Sequence, residues 1–162
     1  RSTLFPYTTL FRSKLGEVAF WKIAMKPGRP MAFGRMDAGG ADGMGGAWLF
    51  GLPGNPVAVM VTFYQFVRSA LLKLMGVDPV PEFPAFPARC VEAMKKGRGR
   101  TEFQRGILFQ QDGAWCVRPT GAQGSGVLSS MAKADCLIVL EPERDKVSPG
   151  DTVMVQLMTG LA

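Results

Sequence analysis

Histidine is absent from the 162 residues of this chain, and cysteine occurs only three times. Without histidine the chain lacks the Ser/His and Cys/His arrangements that activate nucleophiles, and it lacks the commonest ligand of transition metals. Cys90, Cys116 and Cys136 are widely spaced and odd in number, which predicts neither a zinc cluster nor a paired disulfide framework. Any chemistry must depend on lysine, arginine, hydroxyl groups, carboxylates and backbone amides, and a reducing cytoplasm is the expected location.

Long uninterrupted apolar runs are scarce as well. The longest, residues 57–75, is broken by Gln65, Arg68 and Lys73, so a membrane-spanning helix is not predicted. The 47% apolar and 20% charged residues indicate a globular chain that can bury a core. The formal net charge of +6 favours an anionic partner. The sequence contains no evident pair of catalytic carboxylates, no Walker-type loop and no G-x-G-x-x-G motif after a strand.

The most informative stretch is AWLFGLPGNPVAVMVTFYQFVRSALLKLMG, residues 47–76. It predicts a short strand, a tight turn and a long helix that is buried on most sides, because apolar residues cover nearly its full circumference. Asn55 is a preferred N-cap and Pro56 suits the first helical position, while Gly51 and Gly54 permit a sharp turn. Free amides at the helix start are expected to bind an oxyanion. The alternative is an ordinary strand-to-helix turn.

Three further segments carry cationic or hydroxyl groups. Lys22 and Lys26, which precede PGRP, are expected to lie on one side of a kinked loop and to bind a phosphate or another oxyanion; a solvated basic rim is the alternative. The run KKGRGR at residues 95–100 is predicted to be a hairpin loop in preference to a nucleic-acid contact, since Phe103 is the one aromatic residue near it. The loop at residues 120–130 is rich in glycine and hydroxyl groups, which is a weak indication of anion binding.

Changes of composition divide the chain into four regions. They are residues 1–13, predicted to be a non-native leader; residues 14–76, with strands and the long helix; residues 77–87, a proline-rich linker expected to exclude regular structure; and residues 88–162, with about five short strands. Asp112-Gly113 is a predicted hairpin turn between two of these strands. The strands predict a small, partly open β-barrel. The glycine-rich residues 37–46 are predicted to be a flexible hairpin loop.

Several segments together resemble one protein family. They are KIAMKPGRPMAFG, LFGLPGNPVAVMVTFYQFV, RTEFQRG, GAQGSGVLSSM, CLIVLEPE and PGDTVMV, and in this order they closely resemble the C-terminal part of the molybdopterin molybdenumtransferase family, which includes the E domain of gephyrin. The resemblance covers roughly residues 15–157. It implies an α/β fold followed by an all-β one: the last part of a three-layer α/β domain similar to molybdopterin adenylyltransferase, and then a small C-terminal β-barrel.

The resemblance also implies an activity. Enzymes of this family are transferases that insert molybdate into adenylylated molybdopterin, giving molybdenum cofactor and AMP, with Mg²⁺ as a cofactor. The family's metal ligands and nucleotide motif lie upstream of the matched part. We therefore expect this chain to hold no metal ligands and to be inactive by itself. A cytoplasmic homodimer is implied, with molybdopterin adenylyltransferase suggested as a partner, whereas neither nucleic acid nor a membrane is expected.

Site residues follow from matching each motif, and they bind substrate; no catalytic residue is assigned. The matched positions are Lys22, Lys26 and Pro27 in KxxxKPG; Pro53, Gly54, Asn55 and Pro56 in GLPGNP; Arg105 in FQRG; and Ser125, with Ser129 or Ser130, in the hydroxyl-bearing loop. Fixed cations and amides suit molybdate or a pterin phosphate, which need charge stabilisation more than a nucleophile. Two alternatives stay open, namely a non-catalytic dimerisation or interaction module and a basic nucleic-acid-binding β-barrel.

Overall fold

The structure is a computed structural model that describes residues 16–37, 46–124 and 128–158. The predicted leader at residues 1–13 and most of the predicted loop at residues 37–46 lie outside the described residues. The described strands are β1 (Gly16–Lys22), β2 (Met25–Lys26), β3 (Pro30–Asp37), β4 (Gly46–Gly51), β5 (Ala85–Cys90), β6 (Met94–Lys95), β7 (Thr101–Gln111), β8 (Ala114–Pro119), β9 (Cys136–Leu140), β10 (Lys146–Val147) and β11 (Thr152–Leu157).

Strands β1, β3 and β4 form an antiparallel sheet in the order β1-β3-β4. The register places Trp21, Phe33, Trp48 and Phe50 on one side of this sheet, because directly paired residues share a face. The Phe33 ring stacks on Trp48 at a centroid distance of 5.4 Å and contacts Phe50 at 5.1 Å. Trp21 is 58% exposed and Trp48 48%. We call these four residues the aromatic face.

The chain leaves β4 through GLPGNP and enters one helix that runs from Pro56 to Leu74. The N-cap prediction for Asn55 is confirmed, since its backbone is extended and its Oδ1 accepts hydrogen bonds from the amides of Val57 and Ala58 at 3.1 and 3.4 Å. By length and composition alone this helix is sufficient to cross a membrane, a test that core helices of soluble proteins also pass. Its parts are α1 (Pro56–Thr62), a π-helical segment (Phe63–Val67) and α2 (Arg68–Leu74), and a later short helix is α3 (Leu128–Ala132).

The prediction that the long helix is buried on most sides is wrong for the described part of the chain. Val61 is fully buried and belongs to one cluster with Met25, Phe103 and Leu137, so one side of the helix packs on the β-strands. The apolar side chains elsewhere on the helix are partly open to solvent: Met60 and Phe66 are each 37% exposed and Leu74 is 55% exposed, while Met75, the residue after the helix, is 76% exposed. An apolar circumference shows that a helix can be buried on every side, but burial also requires neighbours on every side.

Five strands close into a barrel in the order β7-β8-β5-β11-β9, with β9 pairing back to β7. The prediction of a partly open barrel is therefore wrong, whereas that of a small C-terminal barrel is confirmed. Closure depends on the eleven-residue strand β7, which pairs with β9 over Glu102–Gly106 and with β8 over Gly106–Gln111. The predicted Asp112-Gly113 turn joins β7 to β8, and both residues have positive φ (52° and 73°), as a two-residue hairpin turn requires.

Strand β5 begins inside the predicted linker, so the expectation that residues 77–87 exclude regular structure is wrong at their C-terminal end. Pro87 lies opposite Met154 of β11. The amide of Cys90 donates to the carbonyl of Asp151, and the alternation of an antiparallel ladder then makes Pro87–Met154 a pair without hydrogen bonds. The nitrogen of Pro87 points to the other side, where β5 pairs with β8 only at Arg89 and Cys90. The missing amide hydrogen is thus not needed there.

All three cysteines are free thiols that are 0% exposed, and Cys90 and Cys136 belong to the barrel core. Burial raises the pKa of the Cys136 thiol from 9.0 to about 12 and also raises that of Cys90. A thiol whose pKa is higher in the folded than in the unfolded state stabilises the fold fully below the unfolded pKa. That stabilisation is lost as the pH rises toward the folded pKa.

We therefore expect the free energy of unfolding to fall as the pH rises from about 9 toward 12. Urea titrations of the native chain and of Cys136→Ala at pH 7, 9 and 10.5 measure this contribution, because only the native chain carries the Cys136 thiol. The difference in stability between the two proteins is expected to shrink with increasing pH. A difference that stays constant would contradict the expectation.

Candidate functional site

A cleft of about 870 Å³ lies where strand β2, the GLPGNP turn and the barrel strand β7 come together. This volume is in the usual range for small-molecule sites, roughly 300–1,000 Å³. Six of the residues predicted from the sequence line the cleft, namely Lys26, Pro27, Pro53, Gly54, Asn55 and Arg105. Segments that are far apart in the chain, from Lys26 to Gly124, thus contribute to one cavity.

Lys26 is positioned by an interaction between the two parts of the chain. Strand β2 pairs in parallel with β7, and Lys26 lies opposite Glu102 in the register. The Lys26 Nζ atom is 3.3 Å from both carboxylate oxygens of Glu102. Gln104 Nε2 donates to Glu102 Oε1 at 3.0 Å. The ammonium group is therefore held at the cleft wall by a carboxylate that has a second hydrogen-bond partner.

The bend that follows Lys26 packs directly against helix α1. Gly28 has φ +100°, and a Cβ atom added at this glycine would contact Thr62 Oγ1, the hydroxyl of a residue that is fully buried in α1. It would also come within 3.3 Å of Met25 Cε. The close approach and the left-handed backbone both require glycine at this position.

Arg105, also on β7, is held by the carbonyls of the loop that follows β8 and by the hydroxyl of Ser130 in α3. It is 1% exposed, its Nε donates to Ser130 Oγ at 2.9 Å, and its Nη2 donates to the carbonyls of Gly124 and Ala122 at 3.0 and 3.4 Å. Burial lowers the pKa of the Arg105 guanidinium, and the negative charge of Glu102 opposes this shift. The guanidinium is thus a rigid cationic group at the edge of the cleft.

The start of the long helix contributes less than the sequence predicted. The amides of Val57 and Ala58 donate to Asn55 Oδ1, the amide of Val59 donates to the Asn55 carbonyl at 2.8 Å, and Pro56 has no amide hydrogen. The prediction of free helix amides is therefore wrong for these residues. Asparagine and proline start a helix well because they satisfy or remove its unpaired donors. What remains for an anion is the positive end of the helix dipole and the Nδ2 group of Asn55.

The other predicted site residues lie outside the described lining of the cleft. Lys22 is exposed at the end of β1, and Pro56 is exposed at the first position of α1. Ser130 is buried behind Arg105 and contacts its Nε. Ser125 is outside the described residues.

The sequence motifs did not assign several lining residues to this site, among them Lys95, Glu102, Gln104 and Gln123. Glu102 and Gln104 belong to the RTEFQRG motif, in which the sequence predicts a binding role only for the arginine. Gln123 accepts from the Arg105 amide at 2.8 Å through Oε1, and its Nε2 donates to the Arg105 carbonyl at 3.0 Å. Their shared location follows from strand pairing, which the linear motif does not show.

Two of the four cations in the basic run next to the cleft, Lys96 and Arg98, are bound within the protein. Lys96 Nζ donates to the carbonyls of Arg100 and Gly97 at 2.9 and 3.0 Å. Arg98 pairs with Asp145 at 2.7 Å, and this hydrogen bond lowers the pKa of the Asp145 carboxyl. Cations that hold a loop together are less available to phosphates, which disfavours the nucleic-acid interpretation.

The cleft does not fit Mg²⁺. The one acidic residue among its described lining residues is Glu102, which is already paired with Lys26. Across the described ranges, histidine, cysteine, aspartate and glutamate do not gather into a group of three or more that is able to hold a metal ion. A Mg²⁺ site built on Glu102 would also compete with the Lys26 ammonium for the same two oxygens.

Two protein-family descriptions match the chain. Residues 87–158 match "MoeA C-terminal region (domain IV)", and residues 8–73 match "Probable molybdopterin binding domain". The two matches do not overlap and together span most of the chain. The match to the molybdopterin-binding domain covers the region of the long helix, and the match to the MoeA C-terminal region covers the barrel.

The relatives found by sequence and by structure have related names. The molybdopterin molybdenumtransferase of Haemophilus influenzae is 43% identical over 93% of this chain and 35% of its own length, and Dictyostelium discoideum gephyrin is 29% identical over 90% and 22%. Two crystal structures of Pyrococcus horikoshii MoeA proteins superpose with TM-scores of 0.64 and 0.70 at 26% identity, covering 88% and 94% of this chain and 33% and 35% of theirs. The chain spans about a third of the length of the molybdenumtransferases that it matches. It belongs to the molybdopterin molybdenumtransferase family.

Proposed function

We propose that this chain supplies an oxyanion-binding cleft for molybdenum insertion, the reaction in which molybdate and adenylylated molybdopterin give molybdenum cofactor and AMP. The observation that supports this most is the convergence of Lys26, Asn55 and Arg105 on one cleft. The ligand that these groups suit is molybdate or the phosphate of the pterin substrate. The name of the Haemophilus influenzae relative supports the same transferase chemistry.

The cleft residues would stabilise the negative charge of a bound oxyanion. Arg105 offers a fixed planar cation, and Lys26, whose side chain is 51% exposed, offers a cation that can adjust to the ligand. Asn55 adds an amide donor beside the positive end of the helix dipole. Donors that are already in place stabilise negative charge on oxygen without reorganising during the reaction. The protein part of this site therefore binds and orients an oxyanion, and it needs no nucleophilic side chain.

Other expectations from the resemblance stay predictions. We propose that the ligands of a required Mg²⁺ lie outside the described residues and that the chain alone does not complete the reaction. A conversion of adenylylated molybdopterin and molybdate by the isolated chain at the rate of a full-length relative would contradict the second point. We also propose a cytoplasmic location and an interaction with molybdopterin adenylyltransferase, since the resemblance to the family implies both.

Arg105 provides the direct test of the cleft. We expect Arg105→Met to weaken molybdate binding by about 10- to 100-fold, the usual range for losing hydrogen bonds to a charged group. Isothermal titration calorimetry with sodium molybdate measures the affinity. Arg118→Met, which removes an exposed arginine outside the cleft, is the matched control and is expected to bind as the native chain does.

Because Arg105 is buried, circular dichroism must show that its variant folds. Lys26→Met changes a half-exposed side chain and tests the same cleft if Arg105→Met does not fold. The proposal would be abandoned if the native chain bound neither molybdate nor phosphate. It would also be abandoned if folded variants at Arg105 and Lys26 bound molybdate as tightly as the native chain.

A second candidate function, homodimerisation, is favoured by the aromatic face. Trp21, Ile23, Met31, Phe33 and Phe66 line an apolar groove of about 280 Å³ beside the sheet. We propose that a second copy of the chain covers this groove. Sedimentation equilibrium over a range of concentrations decides the point, and a monomer at all concentrations would contradict it.

A further inference from the structure

We propose that Glu102 is a positioning residue of the oxyanion cleft, holding the Lys26 ammonium where it meets a bound oxyanion. This inference rests on the proposed function, because it assigns a role within the same site. Glu102 carries a negative charge in a cleft that is proposed to bind anions, so its presence there requires an explanation.

The pair is asymmetric in its exposure. The Glu102 side chain is 7% exposed, whereas that of Lys26 is 51% exposed. Both residues line the cleft, but the ammonium is the accessible group of the pair, whereas the carboxylate is almost fully enclosed where β2 pairs with β7. An ammonium group has three donors, so it can contact both Glu102 oxygens and still donate to a ligand.

The carboxylate itself is held in place. Its Oε1 accepts from Gln104 Nε2, a buried hydrogen bond of 3.0 Å, and its residue lies between Thr101 and Phe103 within β7. The parallel pairing of Lys26 with Glu102 also fixes the two backbones against each other. A lysine side chain has many rotamers, and a fixed partner reduces the conformational freedom that it loses when a ligand binds.

Glu102 also acts on the second cation of the cleft. Its charge opposes the lowering of the Arg105 pKa that burial causes. One buried carboxylate thus contacts the Lys26 ammonium and also favours the charged form of Arg105. An exposed ion pair would have little effect on position or charge, but a carboxylate that is 7% exposed is only weakly screened by water.

Two opposite outcomes are conceivable when Glu102 loses its charge. If the carboxylate mainly repels the ligand, Glu102→Gln binds oxyanions more tightly. If it mainly positions Lys26, the same variant binds them more weakly. The burial of the carboxylate and the exposure of the ammonium favour the second outcome, because a ligand reaches the positive group more readily than the negative one.

The experiment uses the full chain and four variants: Glu102→Gln, Lys26→Met, the double variant, and Glu143→Gln as a control at an exposed glutamate outside the cleft. Calorimetry with sodium molybdate is expected to show binding weakened about tenfold by Glu102→Gln, within the range for one charge-assisted contact. In the Lys26→Met background the same change is expected to have no further effect, which is the signature of residues that act together.

A ligand-free measurement tests the contact separately. Acetic anhydride is added in trace amounts, and mass spectrometry follows the acetylation of the peptide that contains Lys26. We expect Lys26 to react several-fold faster in Glu102→Gln, because the amine loses its ion-pair partner, and at the native rate in Glu143→Gln. If Glu102→Gln does not fold, Glu102→Asp keeps the charge on a shorter side chain, and an intermediate loss of affinity is expected.

Each result decides between the hypotheses. Tighter or unchanged molybdate binding in Glu102→Gln, an unchanged acetylation rate, or an equal loss of affinity in the Lys26→Met background would overturn the positioning role. If acetylation accelerates but the native chain binds no molybdate, the proposed function fails, and Glu102 remains a structural partner of Lys26. The two failures are thereby distinguishable.

Discussion

Replacing Gly106 with alanine is expected to destabilise the protein by about 3 kcal/mol, the upper part of the usual range for overpacking a core. The added Cβ would lie 2.8 Å from Ile138 Cγ1, 2.9 Å from Cys136 Sγ and 2.9 Å from Val117 Cγ2. Gly106 pairs with Cys136 on one side and with Pro119 on the other, so its backbone is held from both directions. Urea unfolding followed by circular dichroism measures the loss.

Gly97→Ala is the matched control for this substitution. A Cβ at Gly97 meets no atom within 4 Å, and its φ is not in the left-handed region. Its effect on stability is expected to be within about 0.5 kcal/mol. If Gly106→Ala were as stable as Gly97→Ala, the expectation that close packing around Gly106 excludes a side chain there would be contradicted.

Replacing Gly28 with alanine is expected to have the second large effect, on both stability and binding. The φ of +100° is unfavourable for alanine, and the new methyl group would contact Thr62 of the long helix and Met25. We expect a loss of about 2–3 kcal/mol in stability from the combined backbone and packing costs. The bend must also move away from the helix, which displaces Lys26. Molybdate affinity is therefore expected to fall by more than about tenfold.

Gly76→Ala separates the two causes. Gly76 also has a positive φ, of +87°, but an added Cβ there meets nothing within 4 Å, and the residue lies outside the described cleft lining. We expect it to lose about 1 kcal/mol of stability from the backbone alone and to keep its molybdate affinity. Equal stability and affinity in Gly28→Ala and Gly76→Ala would show that the contact with the helix has no importance.

Local signals in the sequence were sufficient for several elements. Asn55 before Pro56 predicted the helix start, and Asp112-Gly113 predicted a hairpin, because each depends on hydrogen bonds and φ angles within a few residues. The presence of about five short strands after residue 88 was predicted for the same reason, but Pro87 masked the start of β5, which lies at Ala85. A proline cannot donate a backbone hydrogen bond to the strand that faces its nitrogen, and the sequence does not tell which edge of the strand that is.

Errors arose wherever a property depended on what lies opposite a segment. The composition of the long helix permits burial on all sides, yet its exposed residues Met60 and Phe66 show that the neighbours decide. Barrel closure depended on the pairing of β7 with two strands. The helix amides were expected to be free because Asn55 was assigned two incompatible roles, as the cap that accepts from them and as part of a site that needs them unpaired.

The sequence by itself determined the family, the presence of a capped helix followed by β-strands, and the types of group available, which are cations and amides without histidine. These properties depend on residue identity and on neighbours close in the chain. Only the tertiary structure decided that Lys26 and Arg105 line one cleft, that Lys22 does not line it within the described residues, and that Glu102 pairs with Lys26. The reason is that strand register, not distance along the chain, determines which side chains meet.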